Sequence, residues 1–499
     1  MKRRNLTLFS ISLILIPFVF YLFFWWLDGA VWCADTASYV EMHRAREPLY
    51  PMYLAMFRNI FGAETASALH PDQLRYLVVA ALGQSLLAAY VAYNLCKYFS
   101  ERFELNRLFT YAVLAMPMAT SLLCRFAAKR SSMYSNSILT EGLAISVYLL
   151  FVRFCVAYLL DHTKSSFFAC VVMAIIGISL RKQMYILLVL FVIVGAYVIC
   201  VCMGNKVSAG DSEAGKDGKV GVGKTSKFCA GKAKIVGALK LCVAALVVVA
   251  SARFLDCTYN YVLFGHFSGH TEDNRFISTM AFYVSEREDV EHVDPRLQDL
   301  FLETYDICEA EGWLMHSAPS GWLPAQEHFG NNYDHIQIDT LEQVLLSVKD
   351  DPDRDYSWLG EGDKLDLIRA SLNDSLITLH PGRLFKIFFD NLLSGLVTTA
   401  AVRRPLFCIY SLVVYVAYVV MLAMLIVRMR KATDDSNKKK EAEAALLTGI
   451  LILLSILGNV SLVAAVIFTQ TRYTIYNMPL LYIAMIVMLS ALTGNENEP

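Results

Sequence analysis

The sequence has no Cys-x-x-Cys pair and no small-x-small cleavage motif after its first apolar run, and only 18% of its 499 residues are charged. The first absence removes the usual frame of a structural zinc site. The second marks the amino-terminal run as a retained span rather than a secretory signal. The third, beside a hydrophobic content of 56%, is too apolar a balance for a water-soluble protein of this length. A net charge of −1 says little about partners, and no nucleic acid is expected among them. Twelve cysteines are present, but most fall inside apolar runs, where a thiol is simply a small hydrophobe. Cys33, Cys124, Cys257 and Cys308 are the ones placed to face outward, and Cys257–Cys308 is the pairing to consider.

What the chain has in quantity is uncharged runs near 20 residues, the length that crosses roughly 30 Å of hydrocarbon. They lie at 8–27, 76–96, 108–124, 138–160, 166–180, 184–203, 236–255, 406–427, 444–468 and 475–492. The expected fold is therefore an all-α polytopic membrane protein with about ten transmembrane helices. Lys2, Arg3 and Arg4 place the amino terminus inside by the positive-inside rule. Counting crossings from there, the linker 204–235 and the cluster Arg428, Arg430, Lys431 and Lys438–Lys440 fall inside, and 257–405 falls outside. The apolar stretch 384–401 is read as an interfacial helix, because a crossing there puts Lys438–Lys440 outside. Arg125, Lys129 and Arg130 fall on the outer side against the rule, as arginines facing a phosphate do and as a displaced span boundary also produces.

This organisation has three parts. Residues 1–256 form a transmembrane core with a first external loop at 28–70 and the basic cytoplasmic linker at 204–235. Residues 257–405 form an extracytoplasmic domain and the interfacial helix, and 406–499 carry the carboxy-terminal transmembrane helices. Of the 45 Asp and Glu residues, 24 lie between 257 and 380, with no run long enough to span. Heptad-like stretches at 295–311 and 363–379 make this insert mainly helical. In the linker, Gly218–Thr225 reads GKVGVGKT, a formal match to the phosphate-binding loop. That chemistry needs a strand before and a helix after it in a βαβ unit. The Gly, Ala, Ser and Lys flanks make this a basic tether near anionic headgroups, with no nucleotide bound.

After the first span come Asp35, Thr36, Ala37, Ser38 and Tyr39, then a stretch from Arg46 through Pro48, Tyr50 and Pro51 to Gly62. An acid just beyond a membrane surface can accept a proton from an acceptor hydroxyl or bind a metal, and it can also be an idle loop residue. The pattern Asp35, Tyr39, Arg46, Pro48, Tyr50, Pro51 resembles the first external loop of the GT-C glycosyltransferases, which include protein mannosyltransferases and lipid A aminoarabinose transferases. Further matches are Ser135–Ile145 with Glu141, the turn Arg181–Gln183, the element His380–Pro381, and Gln470–Tyr473 with its Arg-Tyr pair. By the crossing count all face the same side as Asp35. Charges gathered at one depth of a membrane line functional cavities, although arginines also serve as snorkelling anchors.

The resemblance implies a GT-C-like fold and transfer of a hexosyl or pentosyl group from a polyprenyl-phosphate sugar to a glycan, lipid or protein acceptor. It assigns catalysis to Asp35 and Glu141, with Asp35 the general base and Asp28 its rival. Donor phosphate falls to Arg181, Lys182, Arg472 and Tyr473, and acceptor or loop positioning to Tyr39, Arg46 and Tyr50. A divalent metal, Mg or Mn, stays open at Asp35, as does metal binding by His266 and His270. The expected location is a bacterial plasma membrane among its lipids, with the site facing outward. The alternative is a polysaccharide polymerase or ligase, or a lipid-linked glycan transporter, none of which needs the Asp35 base. A transporter calls for inverted repeats or broken helices, and the sequence presents neither.

Overall fold

The computed structural model describes residues 2–64, 70, 72–126, 132–213, 223–271, 274–349, 363–401, 405–431 and 436–494, with the backbone alone at 2–7, 202–213, 223–233, 349, 405 and 436. The chain begins with α1 (Lys2–Asp28), followed in the first loop by α2 (Thr36–Val40) and α3 (Leu49–Phe61). The amino-terminal bundle continues with α4 (Arg75–Arg102), α5 (Arg107–Phe126), α6 (Glu141–Asp161), α7 (Lys164–Leu180), α8 (Tyr185–Glu213) and α9 (Gly223–Phe264). The insert holds α10 (Arg275–Val284), α11 (Gln298–Ala310), α12 (Trp322–Asp334), α13 (Glu342–Lys349) and α14 (Lys364–Leu376). The chain closes with α15 (Pro381–Ala400), α16 (Pro405–Lys431), α17 (Ser436–Val466), α18 (Thr471–Thr474) and α19 (Met478–Thr493). Among the described residues no strand forms; Val31 and Ser137 make an isolated parallel bridge.

Among the described residues eight segments are long and apolar enough to cross a membrane: Leu8–Asp28, Arg75–Arg102, Arg107–Phe126, Glu141–Asp161, Lys182–Val201, Lys234–Phe264, Leu406–Lys431 and Asn437–Val466. The protein is a helical multi-pass membrane protein. The other two expected spans, 166–180 and 475–492, correspond to α7 and α19, apolar helices of 17 and 16 residues. At 1.5 Å per residue they measure about 26 and 24 Å, short of the roughly 30 Å of a bilayer core. The shortening has a local cause. Arg181 adopts an extended backbone (φ −165°, ψ 134°) that stops α7. Pro479 in the first turn of α19 opens a new helix after the break that follows α18. Each interrupted end carries an arginine that enters the candidate site.

In α3 the exposed Met52, Met56 and Ile60 recur every fourth residue, opposite the buried Tyr50 and Leu54. That stripe is the pattern of a helix lying along an apolar surface. The insert has its own core, which includes Phe282, Leu300, Phe301, Ile336 and Leu345, and which draws in Ile387 of α15 and Phe468 beyond α17. Tyr333 and Phe468 meet with ring centroids 4.9 Å apart, so the insert is docked on the bundle rather than hung from it. α15, over the stretch read as interfacial, is not among the eight candidate spans. Its buried side is small and polar, with Asn391, Ser394, Gly395 and Thr398, while Phe385, Phe389 and Leu393 are exposed.

Two expectations change. Cys257 and Cys308 are both buried free thiols, not a bridge. Of the GKVGVGKT stretch, 218–222 lies outside the described residues, and Gly223–Thr225 opens the 42-residue α9, which runs on into a candidate span, with no strand beside it among the described residues. Lys129 and Arg130 also lie outside the described residues.

Candidate functional site

The first loop is shaped by a glycine and by main-chain pairing. Gly29 has φ +60°, and a Cβ there would stand 2.3 Å from Gln73 Oε1, so the turn off α1 requires glycine. The Val31 N–H then donates to the Asn136 carbonyl at 2.8 Å, and the Ile138 N–H to the Val31 carbonyl at 3.0 Å. Thr36 Oγ1 donates to the Ile138 carbonyl at 3.0 Å while accepting from the Cys33 N–H at 2.8 Å. These bonds bring Asp35, just before α2, to the start of α6, where Glu141 stands. From α4, Gln84 accepts from the Tyr50 hydroxyl at 2.9 Å and donates to the carbonyls of Ser135 and Ser137, both at 3.1 Å. Tyr50 is fully buried and packs edge-to-face on Tyr39 at 5.1 Å, so it positions the loop from behind.

Five charged side chains from four distant parts of the sequence meet at this end of the bundle. Arg46 Nη2 donates to Asp35 Oδ1 at 2.9 Å, and Arg472 Nη1 to Asp35 Oδ2 at 3.1 Å. Arg472 Nε also faces Glu141 Oε1 at 3.7 Å, and Arg181 Nη1 donates to that same oxygen at 2.5 Å. Tyr473 walls the pair of arginines: the guanidinium carbons of Arg181 and Arg472 each lie 4.9 Å from its ring centroid, and Arg472 Nη2 donates to its hydroxyl at 3.0 Å. Tyr39 plays the same part for Arg46 at 4.7 Å, and Arg46 Nε is fixed by Ser38 Oγ at 2.8 Å.

Three guanidiniums against two carboxylates leave a formal charge of 3 − 2 = +1 in a half-buried pocket. Burial pushes the Asp35 carboxyl up, but Arg472 and then Arg46 outweigh it and hold the group below its ordinary 3.8. Burial pushes the Tyr39 phenol up to about 12, so it stays neutral. Arg472 Nε is buried without a hydrogen-bond acceptor, because 3.7 Å to Glu141 is too long for one. An orphaned donor of this kind costs about 1–3 kcal/mol and is relieved by an incoming anion. Glu141, only 2% exposed, touches Arg181 and Arg472 and accepts from Thr140 Oγ1 at 3.2 Å. It therefore aligns two arginines. Both Asp35 oxygens accept from arginines, and among the described residues no three His, Cys, Asp or Glu side chains stand together.

The structure brings Asp35, Glu141, Arg181, Arg472, Tyr473, Tyr39 and Arg46 into one cluster, with Tyr50 packed behind it. Lys182 joins through its backbone, its N–H donating to Glu47 Oε1 at 2.8 Å. Glu47 was not assigned a role, though it adjoins Arg46 in the same loop. Gln183 Nε2 donates to the Tyr473 carbonyl at 2.7 Å and ties the α7–α8 turn to α18. Asp28 stands apart: Arg125 grips both its oxygens, and Asn136 Nδ2 adds a bond at 3.3 Å. That pair, about 11–12% exposed, gives Arg125 a partner without a phosphate. His380 is bonded to Asp289 in the insert at 2.7 Å, and His270 to Asp256 at 2.8 Å, so neither joins the cluster.

Fold and site together define a helical multi-pass membrane protein with a cationic cluster at one end of its bundle. The chain matches no family model, no curated protein and no solved structure.

Proposed function

We propose that this chain is an integral membrane glycosyltransferase that moves a sugar from a polyprenyl-phosphate donor to an acceptor on the extracytoplasmic side. The observation that carries the reading is the single ionic chain Arg46–Asp35–Arg472–Glu141–Arg181, assembled at the ends of membrane helices. Three guanidiniums suit a lipid phosphate, which they bind in bidentate fashion and whose leaving charge they neutralise. A small crevice between the helices, lined among others by Tyr21, Pro117, Ser121, Ile145 and Pro479, has Glu141 in its wall.

In the resting cluster Asp35 is a weak base, because an arginine occupies each oxygen. An arriving phosphate competes for Arg472, whose Nε already lacks an acceptor. As Arg472 turns to the phosphate, Asp35 loses the strongest influence holding its carboxyl down and gains basicity. The acceptor oxygen then forms its bond to the anomeric carbon as the bond from that carbon to the phosphate oxygen breaks. The acceptor proton passes to Asp35, and the electron pair leaves with the lipid phosphate, held by Arg472 and Arg181. One displacement inverts the anomeric centre. The test is mass spectrometry of polyprenyl-linked sugars and surface glycans in a deletion strain. A lipid-linked sugar should accumulate and one glycan substituent should vanish; unchanged profiles in both fractions overturn the reading.

A further inference from the structure

A cavity of about 330 Å³ lies between the insert and α15, outside the ionic cluster. That is within the range of small-molecule sites, roughly 300–1,000 Å³. One wall is aromatic, with Tyr283 and Phe329 at a centroid separation of 4.7 Å. The facing wall is α15, which presents Lys386, Asp390 and Asn391, with Gln326 of α12 buried between the two walls. Lys386 Nζ donates to Asp390 Oδ2 at 2.9 Å, so this pair brings no net charge. The three hydrogen bonds of the Asn391 amide each measure 3.4 Å, beyond the usual 2.7–3.2 Å, and exchange readily for shorter ones.

We propose that this cavity binds an uncharged carbohydrate and is the acceptor subsite of the transferase, an inference that rests on the glycosyltransferase reading. A sugar ring offers a C–H face for the aromatic wall and hydroxyls for the amides and the carboxylate. An apolar ligand would leave Asp390 and Asn391 desolvated, and an anion would meet Asp390. The cavity is wired to the cluster. Gln326 Nε2 donates to the Thr469 carbonyl at 3.4 Å, and Thr469 Oγ1 donates to the Asn391 carbonyl at 2.8 Å. Arg472 follows three residues later, a span of at most about 11 Å. A glycan seated here is connected to the cluster through the segment Thr469–Arg472, and one of several sugar units has the length to reach Asp35.

The experiment uses full-length protein in nanodiscs and oligosaccharides released by mild acid from the source cells' own surface glycan. Hydrogen exchange over residues 315–329 and 383–391 reads binding, and release of sugar from the lipid donor to water is followed separately. The oligosaccharides should protect these segments saturably. Ser320→Trp, which fills the rim with a side chain outside the recognition set, should weaken protection at least tenfold and leave donor hydrolysis unchanged, and Asp390→Asn should weaken protection at least tenfold. Absent protection in wild type, full protection in both variants, or equal losses of binding and hydrolysis in Ser320→Trp overturn the subsite. Donor cleavage without protection defeats the subsite alone, whereas saturable protection without donor cleavage defeats the transferase reading and leaves a carbohydrate site.

Discussion

Arg472 links both carboxylates of the cluster, so its removal is the most informative perturbation of the donor side. Arg472→Ala deletes the 3.1 Å bond to Asp35, the 3.7 Å pairing with Glu141 and the stacking on Tyr473. Hydrogen bonds to charged groups contribute about 1.5–3 kcal/mol each. The side chains of Arg472 and Asp35 are 29% and 26% exposed, so the folding loss belongs at the low end, about 1.5–2 kcal/mol. Losing a bidentate phosphate contact costs about 2–3 kcal/mol, or roughly 30- to 150-fold in donor KM. Asp35 keeps Arg46 and remains available as base, but the leaving phosphate loses one of its guanidiniums, so kcat falls as donor KM rises. Arg472→Lys restores charge without the fork and should recover only part of the loss. The assay is a donor titration at saturating acceptor with purified protein in nanodiscs. A folded Arg472→Ala enzyme with an unchanged donor KM refutes the phosphate assignment and leaves Arg472 a structural anchor.

Three further outcomes follow from the same geometry. Asp28→Asn should lower stability by about 3–5 kcal/mol, because it strands Arg125 in a buried site, while activity per folded molecule stays near wild type; a well-folded but inactive Asp28→Asn protein would make Asp28 the base. Because the Asp35 carboxyl is held below 3.8, its ion pairs stabilise the fold fully above that pH and are lost as the pH falls through the lower folded value. The melting-temperature gap between wild type and Asp35→Asn should therefore hold from pH 8 to 5 and close only below 3.8, and a gap that closes near pH 6 contradicts this. Lys224→Ala should leave transfer intact and the wild-type protein should bind no ATP, since GKVGVGKT leads into α9 rather than a βαβ unit; ATP binding measured by filter retention decides it.

Much of this arrangement is legible in the sequence because bilayer thickness imposes run lengths, and eight of the ten expected spans meet that length. The two that fall short do so where Arg181 and Pro479 break the backbone, a local event that hydropathy averages away. Asp35 and Arg46 were visible in the loop after the first span, and Glu141, Arg181 and Arg472 at span ends. Which acid pairs with which base was not, since Arg472 and Asp35 are 437 residues apart and their meeting depends on tertiary packing. For the same reason Asp28 and Asp35 read as rivals. The structure distinguishes their surroundings, closing Arg125 on the first and placing the second between two arginines. The 330 Å³ cavity has no sequence signal at all, because its walls come from α10, α12, α15 and the loop before α12.

The central claim is that Asp35 is the base of a sugar transfer, and Asp35→Asn tests it most directly. The amide keeps the shape of the side chain and part of its bonding to Arg46 and Arg472 but cannot take up the acceptor proton. The measurement is single-turnover transfer from a radiolabelled polyprenyl-phosphate sugar by purified wild-type and variant proteins, with donor binding followed in parallel. The account predicts a loss of about 10²- to 10⁴-fold in the transfer rate with donor affinity retained. A stable Asp35→Asn protein that transfers sugar at near wild-type rate contradicts it, and favours a polymerase-like membrane protein that has no need of this acid.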